Sequence, residues 1–313
     1  PVLYVFGQSF GAFVLAPTEP LKLGPISLPA MGFGVDGLVY GVIIGALLHL
    51  LIQVPGLIKY QFRWRPKVDF KDPNTRKVLR LMGPRLLSML FIQLIFLAQD
   101  NFASDLPEGS ISVLTIGWWI MQVPQTLIGT SIATAILPTL SEMFGNKQFD
   151  AMKLKIESAA RVMLTLTVPI AIIAGMVLVP VIRFLPGVDE TATMRVVNAS
   201  RVFLVGIVGH SLVELFVRSF YSLQKPRVPL LGSAFTLVVF VILGIALSPT
   251  LEAVGIASAN TIAYTLQAIL LLVLLNKVMP GPLKIGSSTL KSLLAAAIGG
   301  AAAFAVINWA PGL

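Results

Sequence analysis

No cysteine occurs among the 313 residues, which removes disulfide bonds, thiolate nucleophiles and Cys-ligated metals. Only two histidines are present, His49 and His210, too far apart in sequence to read as a metal motif. Charged residues make up 12% of the chain, about half the ~25% of a soluble domain. Acids are the scarcer sign, 14 Asp and Glu against 23 Lys and Arg, for a formal net charge of +9. Catalytic signatures are missing too: no G-x-S-x-G, no H-E-x-x-H, no Walker-type lysine loop and no Asp-rich pair for a metal-bound diphosphate. Gly32, Gly34 and Gly37 do spell G-x-G-x-x-G, but no strand pattern precedes them and a long apolar run follows, so the dinucleotide-binding context is absent. The chain opens at Pro1 directly into apolar sequence, without a basic n-region or a small-residue cleavage signal, and reads as the interior of a longer protein.

What is present is hydrocarbon. Hydrophobic residues reach 56% and the mean hydropathy is +0.87, values of a membrane protein and not of a soluble enzyme or a nucleic-acid binder. A bilayer core of about 30 Å takes roughly 20 apolar residues per helix. Runs of that kind fall at about 2–16, 35–58, 78–99, 111–139, 158–184, 196–222, 228–248, 253–276 and 288–308. The expectation is an all-α, polytopic transmembrane helix bundle of about nine spans, with cofactors absent and no nucleic-acid partner.

The connecting segments carry a charge asymmetry. Segments 59–80, 141–161, 218–227 and 277–291 hold eighteen basic residues, whereas 17–34, 99–112, 183–195 and 248–253 hold three. Basic loops stay on the cytoplasmic side, so residue 1 is expected inside and residue 313 outside. Residues 147–163 place Phe149, Met152, Ile156, Ala159 and Met163 at helical spacing between charges, which predicts an amphipathic helix on the cytoplasmic surface; an extension of the next span is the alternative. Residues 17–34, with Pro17, Pro20, Pro25 and Pro29, predict an irregular external loop.

Ionisable residues inside apolar spans cost about 2.5–3.5 kcal/mol each at mid-bilayer and need an interior partner or water. Asp100, Arg201, His210 and Glu214 are such residues. His210, Glu214 and Arg218 recur every fourth position and share one helix face, either a self-neutralising structural stripe or the lining of a polar cavity. Arg85 lies near the basic end of its span, where snorkelling suffices. The run 111–139 is interrupted by Gly117, Pro124, Gly129 and Pro138 and carries Gln122 and Gln125, the pattern of a broken helix beside protein or water. Asn260, Tyr264 and Gln267 form a second polar stripe, which lines a cavity or joins helices.

Specific strings then matter. Asp100-Asn101-Phe102-Ala103-Ser104, Leu106-Pro107-Glu108-Gly109-Ser110, Gln122-Val123-Pro124, Ala133-Thr134-Ala135-Ile136-Leu137-Pro138-Thr139-Leu140-Ser141 and Arg218-Ser219-Phe220-Tyr221-Ser222 ahead of Pro229 follow in an order that resembles the MurJ/MviN lipid II flippases of the MOP exporter superfamily, with MATE-like architecture. The resemblance covers nearly the whole chain. It implies fourteen helices in the complete protein, of which this chain holds about the fifth to the thirteenth. On that basis 1–58 are the last two helices of an N-terminal lobe, 59–80 a basic cytoplasmic loop, 81–278 a C-terminal six-helix lobe and 284–313 the first of two groove helices.

The resemblance also implies a transporter and not an enzyme. Its substrate is the undecaprenyl-pyrophosphate-linked peptidoglycan precursor, carried from inner to outer leaflet of the bacterial plasma membrane by alternating access. The driving force is a sodium ion gradient or the membrane potential, and the partners are membrane lipids and cell-wall synthesis proteins. Trp119, Gln122, Gln125, Arg201, His210, Glu214, Asn260 and Tyr264 are the expected cavity residues, and Asp100 is a candidate cation ligand. Two departures stand out: Trp119 falls where the family carries an arginine, and the positions expected to assist Asp100 fall near Phe240 and Gly244. They leave room for another exporter of the superfamily, acting on a lipid-linked oligosaccharide or a drug, or for a transport-dead scaffold.

Overall fold

Backbone polar groups in lipid have no water to bond, so apolar runs satisfy them internally as helices. The computed structural model describes residues 10–18, 21–23, 26–61, 72–183 and 190–284, and the chain divides into one unit at Pro1–Phe70 and another at Lys71–Leu313.

In the first unit a π-helical turn at Gly11–Leu15 is followed by strands β1 (Leu21–Leu23) and β2 (Ile26–Leu28), then by α1 (Gly34–Leu51) and α2 (Val54–Lys59). The strands pair antiparallel, Lys22 opposite Ser27, which corrects the expectation of a wholly irregular segment at 17–34. The prolines flank the strands and leave both three-residue ladders free of proline, so every residue in them keeps its N–H. Gly37, Gly41 and Gly45 form the buried stripe of α1. A Cβ on Gly11 would sit 2.8 Å from the Gly37 carbonyl oxygen and from the Gly41 Cα, so only glycine permits this backbone-to-backbone approach.

The second unit contains α3 (Pro73–Ser104), α4 (Ser110–Gln125), a π-helical turn (Thr126–Thr130), α5 (Ser131–Gly145), α6 (Phe149–Arg183), α7 (Glu190–Ser222) and α8 (Arg227–Asn276). Pro124 cannot donate to the helical ladder, and the register widens into the π turn immediately after it. The broken helix read from the sequence is therefore α4, the turn and α5. Gly129 in that turn meets α7 closely: a Cβ there would lie 2.7 Å from Ser211 Oγ.

α7 is the centre of this unit and packs on α4, α5, α6 and α8, with Phe203, Phe216 and Phe220 fully buried. α8 turns at Glu252, whose φ of 51° and ψ of −133° are not helical. Its two arms run back along each other, since a Cβ on Gly232 would be 3.3 Å from Leu271 Cδ2 and from Gln267 Nε2. Outward faces are hydrocarbon, with Val205, Leu231 and Ile242 each at least 60% exposed.

Six helices among the described residues have the length and hydropathy to cross a membrane, and the last of them is the α8 hairpin. The count of about nine is not reached among them; 288–308 lies outside the described residues, as do positions 2–9 of the first run. Residues 147–163 form no separate surface helix, which corrects that expectation. Met152, Ile156, Ala159 and Met163 are buried, and the same face continues through Leu164, Thr167 and Val168 of one 35-residue helix. No breaker intervenes before Pro169. At its start, Glu157 is buried, pairs with Arg161 at 3.4 Å and accepts the Lys284 backbone N–H at 2.8 Å, while Lys153 Nζ donates to the Pro280 carbonyl at 3.0 Å.

Candidate functional site

A cavity of about 370 Å³ opens within the second unit, walled by α3, α4, α5, α7 and both arms of α8. The face of α7 with His210, Glu214 and Arg218 supplies one wall, and Tyr221 continues it. Arg85 and Ser88 of α3, and Gln122 and Gln125 from the last turns of α4 before the break, line the cavity as well.

The electrostatics are lopsided. Arg218 Nη1 forms a close ion pair with Glu214 Oε2 and also donates to the Glu214 carbonyl at 3.2 Å; the two side chains are 19% and 34% exposed. The Arg85 guanidinium lies over the Tyr221 ring, 5.7 Å from its centroid, and has no carboxylate partner among the described residues. Two guanidinium groups thus share a cavity wall with one carboxylate. The deeper part is aromatic and amide. His210 Nε2 is 3.0 Å from Asn260 Oδ1, its ring is stacked on Tyr264, and the Trp118 ring meets it edge-on at 5.3 Å.

Of the residues expected at the cavity, Gln122, Gln125, His210, Glu214 and Tyr264 line it, and Asn260 holds His210 from behind at 1% exposure. Two of the expected residues lie outside this cavity. Trp119 is 64% exposed on an outward stripe with Val123 and Leu127, and its neighbour Trp118 is the one in the wall, because successive helical residues point about 100° apart. Arg201 is exposed and donates its Nε to the Gly175 carbonyl on α6 at 3.1 Å, outside the lining.

Asp100 is exposed and also lies outside the lining. The positions expected to assist it, Phe240 and Gly244, carry no side-chain oxygen and pack against Phe102, which fills the space a Cβ on Gly244 would need. Among the described residues, no cluster of three His, Asp or Glu side chains could hold a metal ion. Arg85, Trp118 and Tyr221 were not singled out as cavity residues from the sequence. One further helical step along the stripe 210, 214, 218 would have reached Tyr221.

An apolar helix bundle whose long helices can span a bilayer, around a cavity that holds two guanidinium groups, defines a multi-pass membrane protein. The sequence profile of the family described as lipid II flippase MurJ matches residues 10–312. This chain belongs to that family. It is 30% identical over 280 residues to a probable lipid II flippase MurJ of Bdellovibrio bacteriovorus, covering 87% of this chain and 54% of that protein. A probable lipid II flippase MurJ of Vibrio cholerae is 31% identical over 239 residues, covering 75% of this chain and 45% of the relative. The chain therefore spans about half the length of the curated relatives it matches.

Solved structures give the same fold. A lipid II flippase MurJ in an inward closed conformation superposes with a TM-score of 0.65 at 21% identity, covering 85% of this chain and 56% of that one. A Vibrio cholerae MATE transporter superposes with a TM-score of 0.66 at 16% identity, covering 78% of this chain and 56% of that one.

Proposed function

We propose that this chain contributes to a flippase that moves the lipid-linked peptidoglycan precursor lipid II across the bacterial inner membrane by alternating access. The observation that carries the reading is the cavity with Arg85 and the Arg218–Glu214 pair in its wall, in a chain of the MurJ family. Holding these charges among apolar helices costs free energy that hydrophobic replacements would not. An anionic pyrophosphate supplies the counter-charge that offsets the cost, and a guanidinium fork grips two of its oxygens at once.

Gln122, Gln125 and Ser88 offer hydrogen bonds to sugar hydroxyls, while the polyprenyl tail stays in lipid. In this reading residues 1–58 close an N-terminal lobe, 81–278 form the C-terminal lobe, and the basic connecting segments face the cytoplasm. A sodium gradient or the membrane potential drives the cycle, with Asp100 as the cation candidate, and cell-wall synthesis proteins are its neighbours. The test uses the intact protein in cells depleted of their own flippase. Restored growth and precursor externalisation, lost again with Arg85→Gln plus Arg218→Gln, are expected. Failure of the intact, membrane-inserted protein to restore either would overturn the reading.

A further inference from the structure

A second cavity, of about 360 Å³, lies at the end of the second unit where α3 begins and α7 turns into α8. Arg80 of α3 faces Gln224, Lys225 and Arg227 of the turn, over a partly buried floor that includes Leu81, Pro84, Pro226 and Val228. We propose that this cavity is a headgroup site for an anionic phospholipid, with Arg80, Lys225 and Arg227 binding the phosphate.

Three observations carry it. First, three cations from two separate segments converge on one cavity whose wall contains no carboxylate. All three side chains are exposed, and none has a hydrogen-bond or ion-pair partner among the described residues, which leaves them open to an anion. Second, the backbone of the turn that carries Lys225 and Arg227 is fixed by capping bonds. α7 ends in a double cap, Lys225 N–H to the Phe220 carbonyl and Gln224 N–H to the Tyr221 carbonyl, both at 3.0 Å, and α8 starts at once after Pro226. Gln224 occupies the left-handed position of that cap, φ 55°, where glycine is the usual choice, and so keeps an amide at the cavity.

Third, the floor is hydrocarbon and the cations lie at span ends: Arg80 two residues into one span and Arg227 at the start of another. A phosphate joined to a glycerol and acyl chains satisfies rim and floor together, whereas free phosphate satisfies only the rim. Basic pockets between helices at this depth are suited to anionic headgroups. The site is separate from the central cavity and stands independently of the transport reading, because its ligand carries neither sugar nor pyrophosphate.

The test is native mass spectrometry of the intact protein in micelles containing phosphatidylglycerol and phosphatidylcholine. The unmodified protein is expected to retain phosphatidylglycerol preferentially. Arg80→Gln, Lys225→Gln and Arg227→Gln combined should weaken that retention on the order of a hundredfold, as three surface-level charges would give. A control with the same charge loss at the same end, Lys147→Gln, Lys155→Gln and Lys277→Gln, should leave retention essentially unchanged. Equal loss in both variants would show general surface charge and overturn the site. Displacement of the lipid by millimolar inorganic phosphate would overturn the lipid as ligand in favour of a free anion. If the triple variant does not fold, Lys225→Gln alone, at an exposed side chain, should weaken retention about fivefold, and no weakening would overturn the proposal.

Discussion

The His210 imidazole is stacked on the Tyr264 ring, with centroids 3.9 Å apart and planes 27° apart, and the same imidazole is bonded to Asn260. The arrangement ties α7 to the second arm of α8. Asn260→Ala and His210→Ala should each lower stability, and in combination by less than the sum of the two. The coupling should be about 1 kcal/mol, the net worth of one buried hydrogen bond. Thermal unfolding of the two single variants and the double variant in detergent measures it; strict additivity would mean the contact contributes nothing.

Glu214 and Arg218 should respond asymmetrically. Glu214→Gln leaves the cavity with two guanidinium groups, the charge an anionic substrate requires, whereas Arg218→Gln removes the partner Glu214 pairs with and leaves the cavity one guanidinium, that of Arg85, against one carboxylate. Arg218→Gln should therefore be the more harmful, on the order of 2 kcal/mol in stability with loss of export, and adding Glu214→Gln should recover part of the stability. Unfolding midpoints alongside an export assay report both effects.

Trp119→Arg should gain nothing. The side chain stands outside the cavity on an exposed apolar stripe with Val123 and Leu127, so an arginine there adds nothing to the cavity wall and costs roughly 2.5–3.5 kcal/mol of insertion where that stripe meets lipid. The amount of protein recovered from membranes and the export rate should both fall. A rise in export would contradict the outward placement.

Glu157→Ala should loosen the segment that follows α8. It removes the acceptor of the Lys284 N–H and leaves Arg161 without its partner, a loss of about 1–3 kcal/mol. Limited proteolysis should then cut at Lys277 or Lys284 faster than in the unmodified protein, with cleavage elsewhere unchanged.

The helical class, the broken helix at Pro124 and the stripe His210–Glu214–Arg218 were legible in the sequence because each is a local property: hydropathy over a span, a missing N–H, a fourfold spacing. Motif position singles out Trp119 as the match to a family's cation, whereas the rotation of the helix turns its neighbour Trp118 into the wall of this cavity. Arg85 was read as a snorkelling residue because depth in a span is visible in the sequence and the facing element is not; Tyr221, from α7, decides its direction. The strands at 21–28 were hidden by the density of prolines around them. Residues 147–163 show a periodicity common to surface and core helices, and only the continuation of the buried face to Val168 separates the two.

The reversal at Glu252 settles a question of parity. A straight helix of the 50 residues from Arg227 to Asn276 would run about 75 Å, more than twice the hydrocarbon thickness. Folded back, it counts as two crossings, so the chain leaves α8 at the end where it entered, beside the start of α6 that holds Lys284. A single non-helical residue thus decides on which face of the bilayer everything beyond Asn276 begins.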